Sequence, residues 1–171
     1  MALIYRALYQ GADLRRVELR GFLEELIAQL IISDHHDGSN AIRTELHADD
    51  LVIHPDKLAP LALFAVEAIS NAQKHAFAGR GGTLRVSFRV MGEEAELEIA
   101  DDGPPSSPRR LTGGVGRTLM SAFARQLHGR AESVTNQWGG LSARLQFPTP
   151  DAVTSPPPEP AARAKRNRAA A

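Results

Sequence analysis

With 171 residues and no cysteine, the chain is long enough for one domain with a sizeable core, and it excludes disulfide-stapled modules and thiolate metal sites. Twenty Lys and Arg balance twenty Asp and Glu, so global charge gives no reason to expect nucleic acid or an anionic membrane as the main partner. No apolar run approaches the ~20 residues that span a bilayer, and residues 1–15 lack the basic-then-apolar order of a secretory signal, so a cytoplasmic protein with a local site is expected.

In chain order, residues 2–10 read as a short helical piece that Gly11 ends. Leu19, Phe22, Leu23, Leu26, Ile27 and Leu30 recur at helical spacing and predict an amphipathic helix over 18–32. Asp, His, Gly and Ser crowd residues 34–40, a loop; the adjacent His35 and His36 have no further ligands at useful spacing and read as solvated. Ile42, Thr44 and Leu46 alternate with Arg43 and Glu45 as a half-buried strand, and 51–53 is a second short extended run. Pro55 suits the first turn of a helix running to about Phe77.

After Gly81 and Gly82, the apolar Leu84, Val86, Phe88 and Val90 alternate with Arg85, Ser87 and Arg89. A turn at Gly92 and Glu93 leads into Ala95, Leu97 and Ile99, which alternate with Glu96 and Glu98. This is a hairpin whose arginines and glutamates are expected to pair across its two strands. Residues 101–116, rich in Gly, Pro and Ser, form a long loop of the kind that carries function. Leu119, Met120, Phe123 and Leu127 mark a further amphipathic helix over 117–127, capped by Gly129. Strands at 131–135 and 141–147 follow, joined through Trp138, Gly139 and Gly140. The tally is an α+β two-layer sandwich, a mixed and mostly antiparallel sheet with helices on one face. From Ser155 on, four prolines and then Arg163, Lys165, Arg166 and Arg168 among alanines read as a disordered tail.

The helix over 56–77 carries polar residues in a distinctive arrangement. At about 100° per residue, Leu58, Ala62, Ala65, Ile69, Ala72 and Ala76 fall on one side, and Glu67, Asn71, Lys74 and His75 gather opposite. Carboxylate and carboxamide oxygens suit a hard ion such as Mg²⁺, and lysine and histidine suit phosphates. A solvated outer face explains the same stripe equally well until the downstream residues are added. A strand ending at Ile99 and Ala100 runs into Asp101, Asp102 and Gly103, where a carboxylate can accept a hydrogen bond from a purine amino group and a glycine admits the base. Gly113, Gly114 and Gly116 then lead into a helix start, which offers N–H groups and a positive dipole to phosphate.

The ExxxNxxKH run over 67–75, DDGP over 101–104 and GxG over 114–116 resemble the N-box and glycine boxes of GHKL, or Bergerat-fold, ATPases. The nearest likeness is to the catalytic domains of bacterial sensor histidine kinases of the HWE type and their relatives. Ala76 and Phe77 after the N-box, Arg125 to Leu127 before Gly129, and Gly139 and Gly140 before a strand ending at Phe147 and Pro148 agree. Ala7, Leu8, Tyr9 and Gln10 resemble the end of a dimerisation-helix region, which makes 1–17 its remnant and linker, 18–150 the ATP-binding domain and 151–171 the tail.

The resemblance implies an ATP-dependent protein histidine kinase with ATP and Mg²⁺ as cofactors. Asn71 would bind Mg²⁺, Glu67 would be the catalytic carboxylate that polarises a water or helps hold the metal, and Lys74 and His75 would contact phosphates. Asp101 would take the adenine amino group, Gly103 would shape the adenine pocket, and Gly114 and Gly116 would hinge an ATP lid in which Arg109 and Arg110 lie. Three departures stand out. Val66 replaces a frequent asparagine, Pro105 replaces the glycine that completes the first glycine box and so fixes φ and removes an N–H, and no histidine helix is recognisable. His35, His36, His47 and His54 lack the Arg and Asn surroundings of a phosphoacceptor. The acceptor histidine is therefore expected from a dimerisation domain or partner protein, with a response regulator downstream, either because the chain is part of a longer kinase or because it acts in trans. A degenerate adaptor that binds a regulator or kinase, and a serine kinase of the anti-sigma type, are the alternatives.

Overall fold

The computed structural model describes residues 17–32, 41–104 and 115–149. The expected helical piece at 2–10, His35 and His36, Pro105, Arg109, Arg110, Gly113, Gly114 and the tail lie outside the described residues. The elements are β1 (Val17–Glu18), α1 (Leu19–Ile32), β2 (Ile42–Ala48), β3 (Val52–Ile53), α2 (Pro55–Asn71) with a π-helical continuation (Ala72–Phe77), β4 (Gly82–Met91), β5 (Glu94–Asp101), α3 (Val115–Gln126), β6 (Arg130–Thr135) and β7 (Leu141–Pro148).

Helix α1 begins one residue later than its periodicity suggests, because Glu18 serves as its cap. The Glu18 carboxylate accepts the N–H groups of Arg20 at 2.8 Å and Gly21 at 2.7 Å, two of the donors a helix start leaves open. Leu19, Phe22, Leu23, Leu26, Ile27 and Ile31 are buried in the single core cluster, and Leu30 packs at its edge. The pair of β1 with β3 is antiparallel, with Val17 opposite Ile53, and Leu19 N–H donates to the Leu51 carbonyl at 2.9 Å.

The main sheet has five strands in the order β2-β4-β5-β7-β6. Only β2 and β4 run parallel, with Ile42 opposite Gly82, and α2 lies in the crossover such a pair requires. Leu84, Val86, Phe88, Leu97, Ile99, Leu145 and Phe147 form the inner sheet surface and are buried with Leu58, Phe64, Ile69 and Phe77 of the helical layer. This is the expected two-layer α+β sandwich.

The charged outer face follows the expectation at one position, where Arg89 lies opposite Glu96, and departs from it at Arg85 and Glu98. The register sets Ala100 opposite Arg85 and Ser87 opposite Glu98, so these hairpin charges turn to the flanking strands. Arg85 Nε meets Glu45 Oε2 on β2 at 3.0 Å, and Arg144 Nε on β7 meets Glu98 Oε1 at 2.9 Å. The hydrogen bond and charge of Glu98 push the Arg144 guanidinium above its ordinary range.

Two expectations about α3 are corrected. Its buried stripe is Met120, Ala124 and Leu127, with Phe123 packed against the core as expected, and only Leu119 falls outside it, 41% exposed. Its left-handed capping residue is His128, with φ 57°, rather than Gly129. His128 N–H donates to Arg125 O at 3.0 Å and Gly129 N–H to Ala124 O at 2.8 Å, the paired bonds of a Schellman cap. Gly129 is required for another reason: a Cβ there would strike Phe147 Cβ at 2.8 Å and the carbonyl of Gln146.

Candidate functional site

The predicted helix does run to Phe77, but its last six residues, Ala72–Phe77, wind as a π-helix. Ala78 N–H reaches back to Gln73 O at 2.9 Å, five residues away, and Gln73 Nε2 donates to Leu30 O at 3.0 Å, tying this turn to the end of α1. The predicted apolar side is confirmed, since Leu58, Ala62, Ala65, Ile69, Ala72 and Ala76 are all buried. The opposite stripe divides in two: Glu67 and Asn71 are half-buried, and Lys74 and His75, on the π-helical turn, are exposed.

Glu67 and Asn71 form a pair, with Asn71 Nδ2 donating to Glu67 Oε1 at 3.1 Å. With its NH₂ group engaged in this way, the amide presents Oδ1 as the end able to act as a ligand. The start of α3 lies directly against the pair. A Cβ on Gly116 would collide with Glu67 Oε1 and sit 3.4 Å from Asn71 Nδ2. Gly116 is therefore in the first turn of α3 rather than in the loop before it, and its missing side chain lets a helix N-terminus approach a carboxylate and an amide. The loop-borne partner, Gly114, lies outside the described residues.

The other end of the site is built around Asp101, the last residue of β5 and only 3% exposed. A buried carboxylate needs hydrogen bonds to stand the loss of water. Asp101 Oδ1 accepts the N–H of Gly103 at 3.1 Å and of Leu141 at 3.2 Å. Gly103 is where the turn after β5 touches the π-helical segment, since a Cβ there would lie 2.6 Å from Ala76 Cβ and 2.8 Å from Ala76 Cα. The neighbouring Asp102 turns elsewhere: its Oδ1 accepts Thr83 N–H at 2.7 Å and anchors the start of β4. Asp101, Gly103 and Ala76 thus meet at the π-helical continuation of α2, and Glu67, Asn71 and Gly116 meet five to nine residues back along the same helix.

Sequence reasoning missed the turn that closes over Asp101. Asn136 Nδ2 donates to Asp101 O at 2.8 Å, and Gly140 packs so closely that a Cβ would collide with Asp101 O and Oδ1. The available signal was the Asn136, Gly139, Gly140 pattern, which reads as an Asn-initiated turn, but nothing local says what the turn encloses.

A family model described as a histidine kinase-like ATPase domain matches residues 34–138, more than half of the 171 residues, and the chain belongs to that family. It is 27% identical over 120 residues, 67% of its length, to blue-light-activated histidine kinase 2 of Erythrobacter litoralis, and it spans 34% of that relative. Its fold is similar to the histidine kinase domain of the E. litoralis EL346 blue-light-activated kinase, with a TM-score of 0.70 and 20% identity, covering 86% of this chain and 70% of that one. It is also similar to the ATP-binding domain of PrrB from Mycobacterium tuberculosis, with a TM-score of 0.61 and 21% identity, covering 79% of this chain and 96% of that one. Among the described residues, no helix is long and apolar enough to cross a membrane.

Proposed function

We propose that residues 18–150 are the ATP-binding catalytic domain of a two-component sensor histidine kinase, moving the γ-phosphoryl group of ATP to a histidine supplied from outside the described residues. One observation carries this reading: the Glu67–Asn71 pair lies against the N-terminus of α3, where Gly116 leaves no room for a side chain. A carboxylate, a free amide oxygen and helix N–H groups at one place make a site for a polyphosphate and its counter-ion.

The donor set fits Mg²⁺, with Asn71 Oδ1 as the protein ligand and Glu67 beside it; the ion would supply charge neutralisation between the phosphates. Asn71 orients Glu67 through its Nδ2, and Glu67 polarises a water at the phosphate end. Lys74 and His75 extend from the π-helical turn to meet phosphate oxygens, Gly114 hinges the lid, and Gly116 admits the first turn of α3 to the Glu67–Asn71 pair. Asp101 accepts the adenine amino group, and Gly103 leaves space beside it for the ring. Rate enhancement under this reading comes from positioning and charge neutralisation, with an imidazole nitrogen as the nucleophile. The acceptor histidine comes from a dimerisation domain or partner protein, the product passes to a response regulator, and the reaction takes place in the cytoplasm, where ATP is supplied.

Calorimetric titration with a non-hydrolysable ATP analogue, with and without Mg²⁺, tests the proposal. Saturable binding that depends on Mg²⁺ and is lost in Asn71→Ala supports it. No binding at millimolar nucleotide, or unchanged binding in Asn71→Ala, overturns it.

A further inference from the structure

The turn over Asp101 is held more firmly than a surface connection between two strands needs to be. Asn136 occupies its centre. The Asn136 backbone N–H donates to Gly140 O at 3.0 Å, its carbonyl accepts Gly139 N–H at 3.1 Å, and its side-chain Oδ1 accepts Trp138 N–H at 3.0 Å. The other half of the same amide, Nδ2, donates to Asp101 O at 2.8 Å. One side chain therefore closes the turn with its oxygen and grips the end of β5 with its nitrogen.

Trp138 fastens the turn from outside. Its ring is 44% exposed, yet it lies over the guanidinium of Arg85, whose Cζ is 4.2 Å from the ring centroid. Arg85 is held in turn by Glu45 at 3.0 Å on the edge strand β2. A cation stacked on indole in a partly desolvated position is a favourable contact. The connection runs from β2 through β4 to the β6–β7 turn and ends on the main chain of Asp101.

We propose that Asn136 is a positioning residue for purine recognition, setting the Asp101 carboxylate through its main chain, with the Trp138–Arg85 stack holding Asn136 in place. The inference rests on the nucleotide reading above and extends it to residues that touch no nucleotide. Asn136→Ala removes both halves of the amide. Asn136→Asp keeps an oxygen for Trp138 N–H and turns the donor to Asp101 O into a charged acceptor that repels it.

The test is calorimetric affinity for ATP and for inosine triphosphate, which lacks the exocyclic amino group, measured on the full chain. The wild type should favour ATP. In Asn136→Ala and Asn136→Asp, ATP affinity should fall roughly tenfold, as expected for one lost hydrogen bond at a buried charge, with inosine triphosphate nearly unaffected, so the preference collapses. Trp138→Ala, at a position 44% exposed, should lower the preference in the same sense, and Trp138→Phe should restore most of it. A preference that survives in all of these variants, or a parallel loss of both nucleotides, overturns the positioning role while leaving the nucleotide reading intact. A wild type that binds neither nucleotide overturns the nucleotide reading and this inference with it.

Discussion

The two ends of the site are made of different materials. At the Asp101 end, nearly every contact is main chain or the space where a glycine lacks a side chain: Gly103 against Ala76, Gly140 against Asp101, and Leu141 N–H on the carboxylate. At the Glu67 end, two side chains on a helix face meet the first turn of α3. A site built from backbone has nowhere to move when an atom is added, whereas one built from side chains can rearrange and lose its chemistry without losing the fold. The first end should therefore couple binding to stability, and the second should separate them.

Asn71→Ala should give the largest effect, a fall in Mg²⁺-dependent ATP-analogue affinity of roughly 100-fold, at the upper end of what loss of a metal-site group costs. Its thermal unfolding should shift by no more than about 1 kcal/mol, because Asn71 is half-buried beside the apolar stripe rather than in it. A melt that collapses with affinity would erase the contrast between the two ends. Gly140→Ala comes next. Its Cβ would meet the backbone of Asp101, so a destabilisation of about 2 kcal/mol is expected together with weakened binding, read by chemical denaturation. A stable Gly140→Ala protein would show that the purine end has slack after all.

Gly116→Ala sharpens the comparison from the other side. Here the new methyl meets the far end of the Glu67 side chain, which can swing away at the expense of its bond to Asn71. Affinity should drop roughly tenfold, a loss of ~1.4 kcal/mol. Stability should stay level or rise by up to about 1 kcal/mol, because alanine is the better helix residue. The smallest effect belongs to a control on the outer sheet face. Glu98→Gln should cost less than about 1 kcal/mol, as exposed or half-exposed ion pairs do, and leave nucleotide affinity alone. The Arg144 proton is held more tightly in the folded chain, so the arginine's share of that pair persists at every pH below the unfolded guanidinium value and is lost only in strong alkali. Denaturation midpoints of wild type and variant should therefore keep a constant gap from neutral pH to pH ~10.

Most of the architecture was legible because it is written in short-range periodicity. Alternation in β4 and β5 and the stripe of α2 each need only a few consecutive residues to be read, and the N-box residues share one helix. What was not legible depends on neighbours distant in sequence. Arg85 and Glu98 choose Glu45 and Arg144 because of the strand order, which no local pattern records. Asn136 meets Asp101 across 35 residues of chain. The exchange of roles between His128 and Gly129 has a related cause: the glycine is claimed by β7, and the left-handed position falls to the residue before it. The π-helical winding of Ala72–Phe77 was invisible for a different reason, since α and π turns draw on the same residue types.

That winding has a consequence for how the chain tolerates changes in length. A π turn accommodates one residue more than an α turn over nearly the same rise, so the segment holding Lys74 and His75 behaves as a stored single-residue insertion. Removing one residue between Lys74 and Ala76 would let the helix take ordinary α winding with Phe77 still facing its buried place, whereas the same deletion within α2 would turn everything beyond it by about 100°. A shortening that ordinary helix would transmit to both ends of the site is here absorbed within one turn.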